Sequence, residues 1–169
     1  MTAELAPGVD GRLFREALGR FASGVCVVTT VDGDGRPAGV TISAFASLSL
    51  DPPLVLFCIG KRSANLSAWL TAPCFSVNVL AEGQQAISEA FASQREDKFA
   101  GVAGAVGGNG CFRVAGALAT LECRRTRLYD EGDHHIVIGL VERAQIDADA
   151  PPLLRFRAAY RQLDDGGQP

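Results

Sequence analysis

Residues 39 to 58 combine two hydrophobic patterns. The first part, GVTISAFASLSL, alternates small hydroxyl residues with apolar ones, and the second part, LVLFC, is an unbroken apolar run. Alternation with a period of two predicts a strand with one polar face, whereas a short apolar run predicts a strand covered on both faces. Proline lacks the N–H that a strand ladder needs, so we place the break between the two strands at Asp51-Pro52-Pro53.

Similar patterns predict more strands and a few short helices. Asp10 is placed to cap a helix that stops before Gly24. Its apolar face is predicted to consist of Leu13, Phe14, Ala17, Leu18 and Phe21. Ser63 is placed to cap a second helix, ANLSAWL, and a third is expected at EGQQAISEAFAS. The segment REDKFAGVAGAVGGNG is predicted to be a surface loop because it is rich in glycine and polar residues. The other predicted strands are VCVVTTV, FSVNVL, ALATLECRRTRLY, HIVIGLVERAQI and LLRFRAAYRQL.

The order of these elements favours an antiparallel β fold in one domain. The turn-rich stretches DGDGRPAG and DEGDH predict hairpins between consecutive strands. Such hairpins outnumber possible βαβ crossovers, so we expect a closed or partly open β-barrel with inserted short helices. A length of 169 residues is enough for one domain with its own core.

Composition excludes several classes of protein and site. The net charge of -3 argues against a nucleic-acid partner. The sequence contains no apolar segment of 18 residues, so we expect no membrane-spanning helix. Five cysteines without Cys-x-x-Cys spacing are typical of reduced thiols in a cytoplasmic protein. Rossmann, Walker, nucleophile-elbow and His-Glu-x-x-His motifs are missing, so we expect no metal site and no protein nucleophile. Any chemistry should therefore come from an organic cofactor.

The hydroxyl-rich strand is a candidate wall for such a cofactor. Small residues let a planar ring approach the backbone, and hydroxyls and amides can bind polyol or phosphate oxygens. A Ser/Thr-rich edge strand that faces water explains the same composition equally well. The segment GKRSANL indicates an anion site at a helix start, although a plain capped surface helix has the same pattern.

Seven ordered motifs resemble those of the flavin reductase-like family: FRxALGRFASGVCVVTT, GVTISAFASLSLDPPLVLFC, KRSANL, FSVNVL, DKFAG, GDHHIVIGLVE and PLLRFRAAYR. The resemblance covers residues 12–163 and implies a mainly β, Greek-key split β-barrel of the FMN-binding type, with flexible segments at 1–11 and 164–169. It also implies a cytoplasmic homodimer that uses NADH or NADPH to reduce FMN or FAD. The reduced flavin would pass to a separate flavin-dependent oxygenase.

The resemblance also assigns site residues. His134, in the Gly-Asp-His turn, would orient the nicotinamide, although such a histidine is often only a hairpin residue. Some relatives have Thr-His where this chain has Ala64-Asn65, which leaves the choice between FMN and FAD open. The residues implied for the flavin are Gly39, Val40, Thr41, Ser43, Ala44, Cys58, Ile59, Gly60, Ser63, Asn65, Phe91 and Lys98, and those implied for NAD(P)H are His134, Arg155, Phe156, Arg157 and Tyr160.

Two other functions are compatible with the sequence. A flavin-binding module that stores or senses FMN without turnover would use the same fold. A flavin-dependent oxidase of a small amine would need a second basic cluster for a substrate phosphate, and the sequence shows no obvious one.

Overall fold

The computed structural model describes residues 9–163 and contains three short α-helices. The first, α1, spans Gly11–Leu18, and Asp10 caps it as predicted, with its carboxylate accepting from the amides of Arg12 and Leu13 at 2.8 and 2.7 Å. It ends at Leu18, earlier than the predicted stop before Gly24. The others are α2, Leu66–Thr71, and α3, Gln85–Ala92, which follows a 3-10 turn at Glu82–Gln84. Residues 1–8 and the predicted tail at 164–169 lie outside the described residues.

Twelve strands account for most of the rest of the described chain. Within residues 9–163, neighbouring strands pair antiparallel, as the hairpin signals predict. The strands are β1 Ser23–Gly24, β2 Cys26–Val31, β3 Pro37–Ile42, β4 Phe45–Leu50, β5 Pro53–Gly60, β6 Cys74–Val79, β7 Gly104–Val106, β8 Phe112–Val114, β9 Ala119–Glu131, β10 His134–Ile146, β11 Leu154–Phe156 and β12 Ala159–Arg161.

Seven of these strands form one sheet whose two edges are brought together by the chain itself. The order is β3-β2-β6-β9-β10-β5-β4, so β3 and β4 lie at opposite edges. They are nevertheless consecutive, and the step from Ile42 to Phe45 spans at most about 11 Å. The sheet must therefore curl until its edges meet, yet β3 and β4 do not pair with each other. The predicted split β-barrel is confirmed, and its split lies between β3 and β4.

Two apolar clusters fill the fold. The first lies inside the barrel, where the Phe57 ring meets Phe75 and Trp69 edge to face with centroids 5.1 and 5.8 Å apart. The second lies outside the barrel beneath α3 and includes Phe91 and Leu153. The outer cluster holds α3 and the C-terminal strands against β2 and β3, which places those elements beside the split.

Several local predictions are wrong. The hydroxyl-rich stretch forms two strands rather than one, because the chain passes from one sheet edge to the other after Ile42. The C-terminal segment likewise forms a two-strand hairpin, β11–β12, whose turn contains Arg157 and Ala158 at φ 51° and 60°. Ser63 does not cap α2, since the N-cap is Asn65 with φ 58° and no side-chain hydrogen bond.

The predicted surface loop at 95–110 is also structured in part. Its residues Gly104–Val106 form β7, which pairs with β8, and Lys98 is buried. From sequence, the apolar residues around SAWL and AFAS are predicted to form edges that a twin subunit covers, but Trp69 and Phe91 are buried in the core of this chain. Exposed large apolar residues include Phe14 on α1, Phe21 just after α1 and Leu50 on β4.

Candidate functional site

Ser43 and Ala44 form the junction between the two edges of the split barrel. Both residues are exposed, and the carbonyl of Ala44 accepts from the amide of Cys58 at 3.0 Å. Among residues 9–163, the amides of Ser43 and Ala44 donate to no acceptor. Two cavities flank Ser43, and we refer to them together as the junction groove. The groove thus offers free backbone donors next to a small side chain.

The first cavity of the groove is small and polar on one side. It measures about 170 Å³ and lies between the end of β3, α3 and the C-terminal hairpin. The Thr41 hydroxyl donates to the carbonyl of Ser88 at 2.6 Å, and the Ser88 hydroxyl lies 2.8 Å from that of Tyr160. The Arg155 guanidinium lies 5.4 Å from the centre of the Tyr160 ring, so a cation and an aromatic ring face this space. Its lining residues are Val25, Thr41, Ile42, Ser43, Ser88, Ala92, Arg155 and Tyr160.

The second cavity is larger and mostly apolar. It measures about 390 Å³ and continues from Ser43 and Ala44 toward β5 and α1. The shape and lining of this space suit a flavin ring. An open apolar slot floored by small residues, with unpaired backbone amides at its rim, matches a planar ring that has polar edge atoms, so the residues fit the group. The lining residues are Leu18, Phe21, Ser23, Ser43, Ala44, Phe45, Ala46, Leu56 and Cys58.

His134 lies on the same face of the sheet as the larger cavity. It is paired in register with Gly60, which is two residues from Cys58 on β5 and so points to the same side. His134 Nδ1 lies 2.7 Å from the Asp133 carboxylate, and this hydrogen bond lowers the pKa of the Asp133 carboxyl below its ordinary value. With Nδ1 engaged, Nε2 faces Gly60, 3.5 Å from where a Cβ would stand. His135 pairs with Ile59 and is buried.

The β11–β12 hairpin positions the residues predicted for the nicotinamide. The left-handed backbone at Arg157 and Ala158 is unusual for residues other than glycine, and such strain is often found near functional sites. The amide of Arg157 donates to the carbonyl of Gly19 at 2.7 Å, which ties the hairpin to the end of α1. Arg155 and Tyr160 reach the first cavity, whereas Phe156 and Arg157 stack on each other at 5.1 Å outside its lining.

Several residues implied for the flavin lie elsewhere. Ile59 is buried in the barrel core, and Val40 packs against that core. Phe91 has no exposed surface and fills the space above Gly39, where an added Cβ would come within 2.3 Å of the ring. Lys98 is buried on the same side, and its Nζ donates to the carbonyls of Phe91 at 3.0 Å and Gly39 at 3.4 Å. These residues support β3 from behind.

Ser63 and Asn65 follow the end of β5 but line neither cavity. The amide of Ser63 donates to the carbonyl of Gly60 at 2.9 Å, so this turn lies on the His134 side of the groove. Asn65 is exposed. Their predicted contact with the flavin phosphate remains a prediction.

Sequence reasoning missed Ser88, and it did not place Leu18 of α1 or Phe21, which follows α1, in the groove. Ser88 lies three residues before Phe91, so helical spacing places both on the buried face of α3 and could have identified the hydroxyl. Leu18 and Phe21 were assigned to a packing face, and no sequence signal connects them with the junction. Both reach the second cavity.

Two further observations concern the kind of site. Within residues 9–163, no group of three or more His, Cys, Asp or Glu side chains is arranged to hold a metal ion. None of the helices in the described part of the chain has the length and apolar character needed to cross a membrane.

Comparison with known proteins identifies the family. The flavin reductase-like domain matches residues 18–164. The chain is 46% identical over 150 residues to the reductase component of 4-hydroxyphenylacetate 3-monooxygenase from Thermus thermophilus, covering 89% of this chain and 95% of that one. It is 40% identical over 162 residues to the flavin-dependent monooxygenase reductase subunit HsaB of Rhodococcus jostii, covering 96% and 83%. An NADH:FAD oxidoreductase of Streptomyces globisporus, solved with NAD and FAD fragments, superimposes with a TM-score of 0.89 at 36% identity over 98% of this chain and all of that one. The chain therefore belongs to the flavin reductase-like family.

Proposed function

We propose that the junction groove binds a flavin and a nicotinamide side by side. The chain is an NAD(P)H-dependent flavin reductase, as its family membership and its relatives establish. One observation supports this use of the groove: its two cavities share Ser43, and one contains Arg155 and Tyr160 while the other contains Ala44 and Cys58. Transfer between two bound rings needs such adjoining spaces, because the reacting atoms must lie about 3–3.5 Å apart.

The residues of this chain bind and orient the reactants. A bound flavin supplies the redox chemistry by accepting a hydride from the nicotinamide. The free amides of Ser43 and Ala44 are suited to donate to the polar edge of the ring, where negative charge accumulates on reduction. His134 is held through Nδ1 by Asp133, so its Nε2, which lies beside Gly60, is the atom proposed to meet the carboxamide of the nicotinamide. The Arg155 guanidinium provides a cation for the phosphates of the dinucleotide.

NADH is the proposed hydride donor, and the reduced flavin is proposed to leave for a separate oxygenase. The Streptomyces relative is an NADH:FAD oxidoreductase, and the Thermus and Rhodococcus relatives are reductase components of monooxygenases. The groove is open along its apolar side, which is consistent with release of the flavin. A cytoplasmic location is also proposed. All five cysteines are free thiols, which is typical of proteins in a reducing compartment.

A homodimer is proposed because the apolar surface beside the groove is unusually exposed. Phe21 is 80% exposed and Leu50 is 93% exposed, and Leu13, Phe14 and Leu18 of α1 are each more than half exposed. The β4 edge also presents unpaired backbone groups. A second copy of the chain would cover both features and enclose the groove. Light scattering tests this, and a stable monomer at micromolar concentration with flavin bound would refute it.

Steady-state assays test the activity and the cofactor choice. Purified protein should oxidise NADH in proportion to added FMN, FAD or riboflavin, and parallel titrations should show which flavin and which of NADH and NADPH has the larger kcat/KM. A protein that retains yellow flavin and oxidises NADH only slowly would indicate the storage or sensor function instead. The oxidase alternative predicts oxygen consumption that depends on an added amine.

A further inference from the structure

Two cysteine side chains meet at the end of the barrel opposite the junction groove. Cys74 begins β6 and is half-buried, and Cys111 is fully buried just before β8. Their sulfur atoms lie 3.6 Å apart. Among the five thiols, all of which lie within the described residues, this is the one pair in hydrogen-bond contact.

Asn109 holds the two thiols together. Its carbonyl accepts from Cys74 Sγ at 3.2 Å, and its side-chain oxygen accepts from the amide of Cys111 at 3.1 Å. The Asn109 amide group donates to the carbonyl of Phe75 at 3.0 Å, which anchors the turn to β6. The turn itself is closed by a bond from the amide of Gly107 to the carbonyl of Cys111 at 2.8 Å. Contact between the thiols therefore results from several hydrogen bonds between two chain segments.

We propose that Cys74 and Cys111 form a peroxide-reactive dithiol that closes to an intramolecular disulfide. An S–S bond is about 2.05 Å long, so the sulfur atoms must approach by roughly 1.5 Å. Cys111 lies between the short strand β8 and the Gly107–Gly110 turn, where a small shift leaves the seven-stranded sheet intact. The proposal depends on the proposed function only for the source of the oxidant.

The oxidant is hydrogen peroxide, which forms when reduced flavin that escapes the oxygenase reacts with dioxygen. The sulfur of Cys74, the less buried of the two residues, attacks one peroxide oxygen, the O–O bond breaks, and a sulfenic acid and one water result. The Cys111 sulfur then attacks the sulfenic sulfur, and its proton leaves with the hydroxyl group as a second water. In total, two thiols and one peroxide give one disulfide and two waters. Burial raises the pKa of the Cys111 thiol, which favours Cys74 as the first sulfur to react.

The disulfide should stabilise the protein without blocking the groove. Cys26 of β2 pairs with Val79 of β6, and both lie at the groove end of their strands. Cys74 is five residues from Val79, or about 17 Å along the strand. The bond would link residues 37 positions apart in the sequence. Cross-linking a loop of that length restricts the unfolded chain and should raise the Tm of the oxidised protein by about 5 °C or more.

The experiment has two arms on the full-length protein. In the first, reduced protein is treated with excess hydrogen peroxide, free thiols are alkylated, and peptides are identified by mass spectrometry with and without dithiothreitol. We expect two of the five thiols to become protected, a linked peptide joining Cys74 to Cys111, and full recovery on reduction. In the second arm, NADH, flavin and air replace the peroxide, and added catalase should prevent the linkage.

Single variants serve as controls. Cys74→Ser and Cys111→Ser should each abolish the linked peptide and the gain in Tm on oxidation. If Cys111→Ser folds poorly because its hydroxyl is buried, Cys111→Ala is used in its place. The wild-type peptide analysis needs no variant. Alkylation of both Cys74 and Cys111 after peroxide treatment, sulfinic acid at Cys74, or a link between chains would each overturn the proposal. Failure to oxidise NADH in the second arm would count against the proposed function alone, because the first arm supplies peroxide directly.

Discussion

Ser43→Leu should weaken flavin binding while leaving the fold intact. Ser43 lines both cavities of the junction groove, is exposed, and makes no side-chain hydrogen bond within residues 9–163. Leucine would place a branched side chain where the ring is expected to approach the backbone. Because the native serine side chain is exposed and makes no hydrogen bond in the described chain, the free energy of unfolding should change by no more than about 0.5 kcal/mol.

The size of the effect follows from two losses. A lost hydroxyl hydrogen bond costs about 0.5–1.5 kcal/mol. If the new side chain prevents burial of about 50 Å² of the ring, a further loss of about 1.2 kcal/mol is expected at 25 cal/mol per Å². Together these give about 1.7–2.7 kcal/mol, or an increase in the flavin Kd of about 20- to 100-fold.

Fluorescence titration of the flavin measures this Kd, and urea unfolding measures stability. Ser47→Leu is the matched control, because Ser47 is exposed on β4 but lines neither cavity. Ser43→Leu protein that binds flavin as tightly as the Ser47→Leu control would refute the placement of the ring beside Ser43.

Three other outcomes are expected. His134→Ala should raise the KM for NADH and lower kcat/KM by about 10-fold with flavin affinity unchanged, and a loss of four decades in stopped-flow rates would instead identify a proton donor. Gly39→Ala should lower the free energy of unfolding by about 1–3 kcal/mol in urea titrations, because its Cβ would lie 2.3 Å from the Phe91 ring; unchanged stability would contradict this packing. Burial, and secondarily the charge of Arg95, lowers the pKa of Lys98, so the folded chain loses this proton at a lower pH than the unfolded chain. The free energy of unfolding should therefore rise with pH between the folded-state pKa and about 10.4, and Lys98→Met should remove that rise in urea titrations at several pH values.

Hairpins are the part of the fold that sequence predicts best, since their signals are local. Gly35 and Gly132 adopt φ of 77° and 56° in the two turns predicted from DGDGRPAG and DEGDH. The break at Ser43 and Ala44 has no such signal, because neither residue requires a turn. It exists because β3 and β4 pair with partners at opposite edges of the sheet, and that pairing depends on contacts distant in sequence. Sequence could therefore predict that Ser43 and Ala44 belong to a cofactor-binding strand, but not that they connect the two edges of the sheet.

Polar residues were harder to place than apolar ones. The segment REDKF has the composition of a solvated turn, yet the Lys98 amine is buried against two carbonyl oxygens. Composition contains no information about such partners, because the carbonyls belong to α3 and β3 rather than to the segment itself. The two adjacent histidines could be placed from strand geometry alone. Successive side chains of β10 point to opposite faces of the sheet, so His134 is exposed and His135 is buried.

Contacts between α3 and the outer face of β3 explain how some residues implied for the flavin could affect it from a distance. Phe91 occupies the space that Gly39 leaves open, and Lys98 joins the end of α3 to β3 through their carbonyls. The hydroxyl of Thr41 adds a third link from β3, to the carbonyl of Ser88 in α3. All three contacts fix the outer face of the strand that ends at the junction. A displacement of α3 would therefore move the backbone amides on which flavin binding is proposed to depend, so Phe91 and Lys98 are expected to act on the cofactor through the position of β3 rather than by touching it.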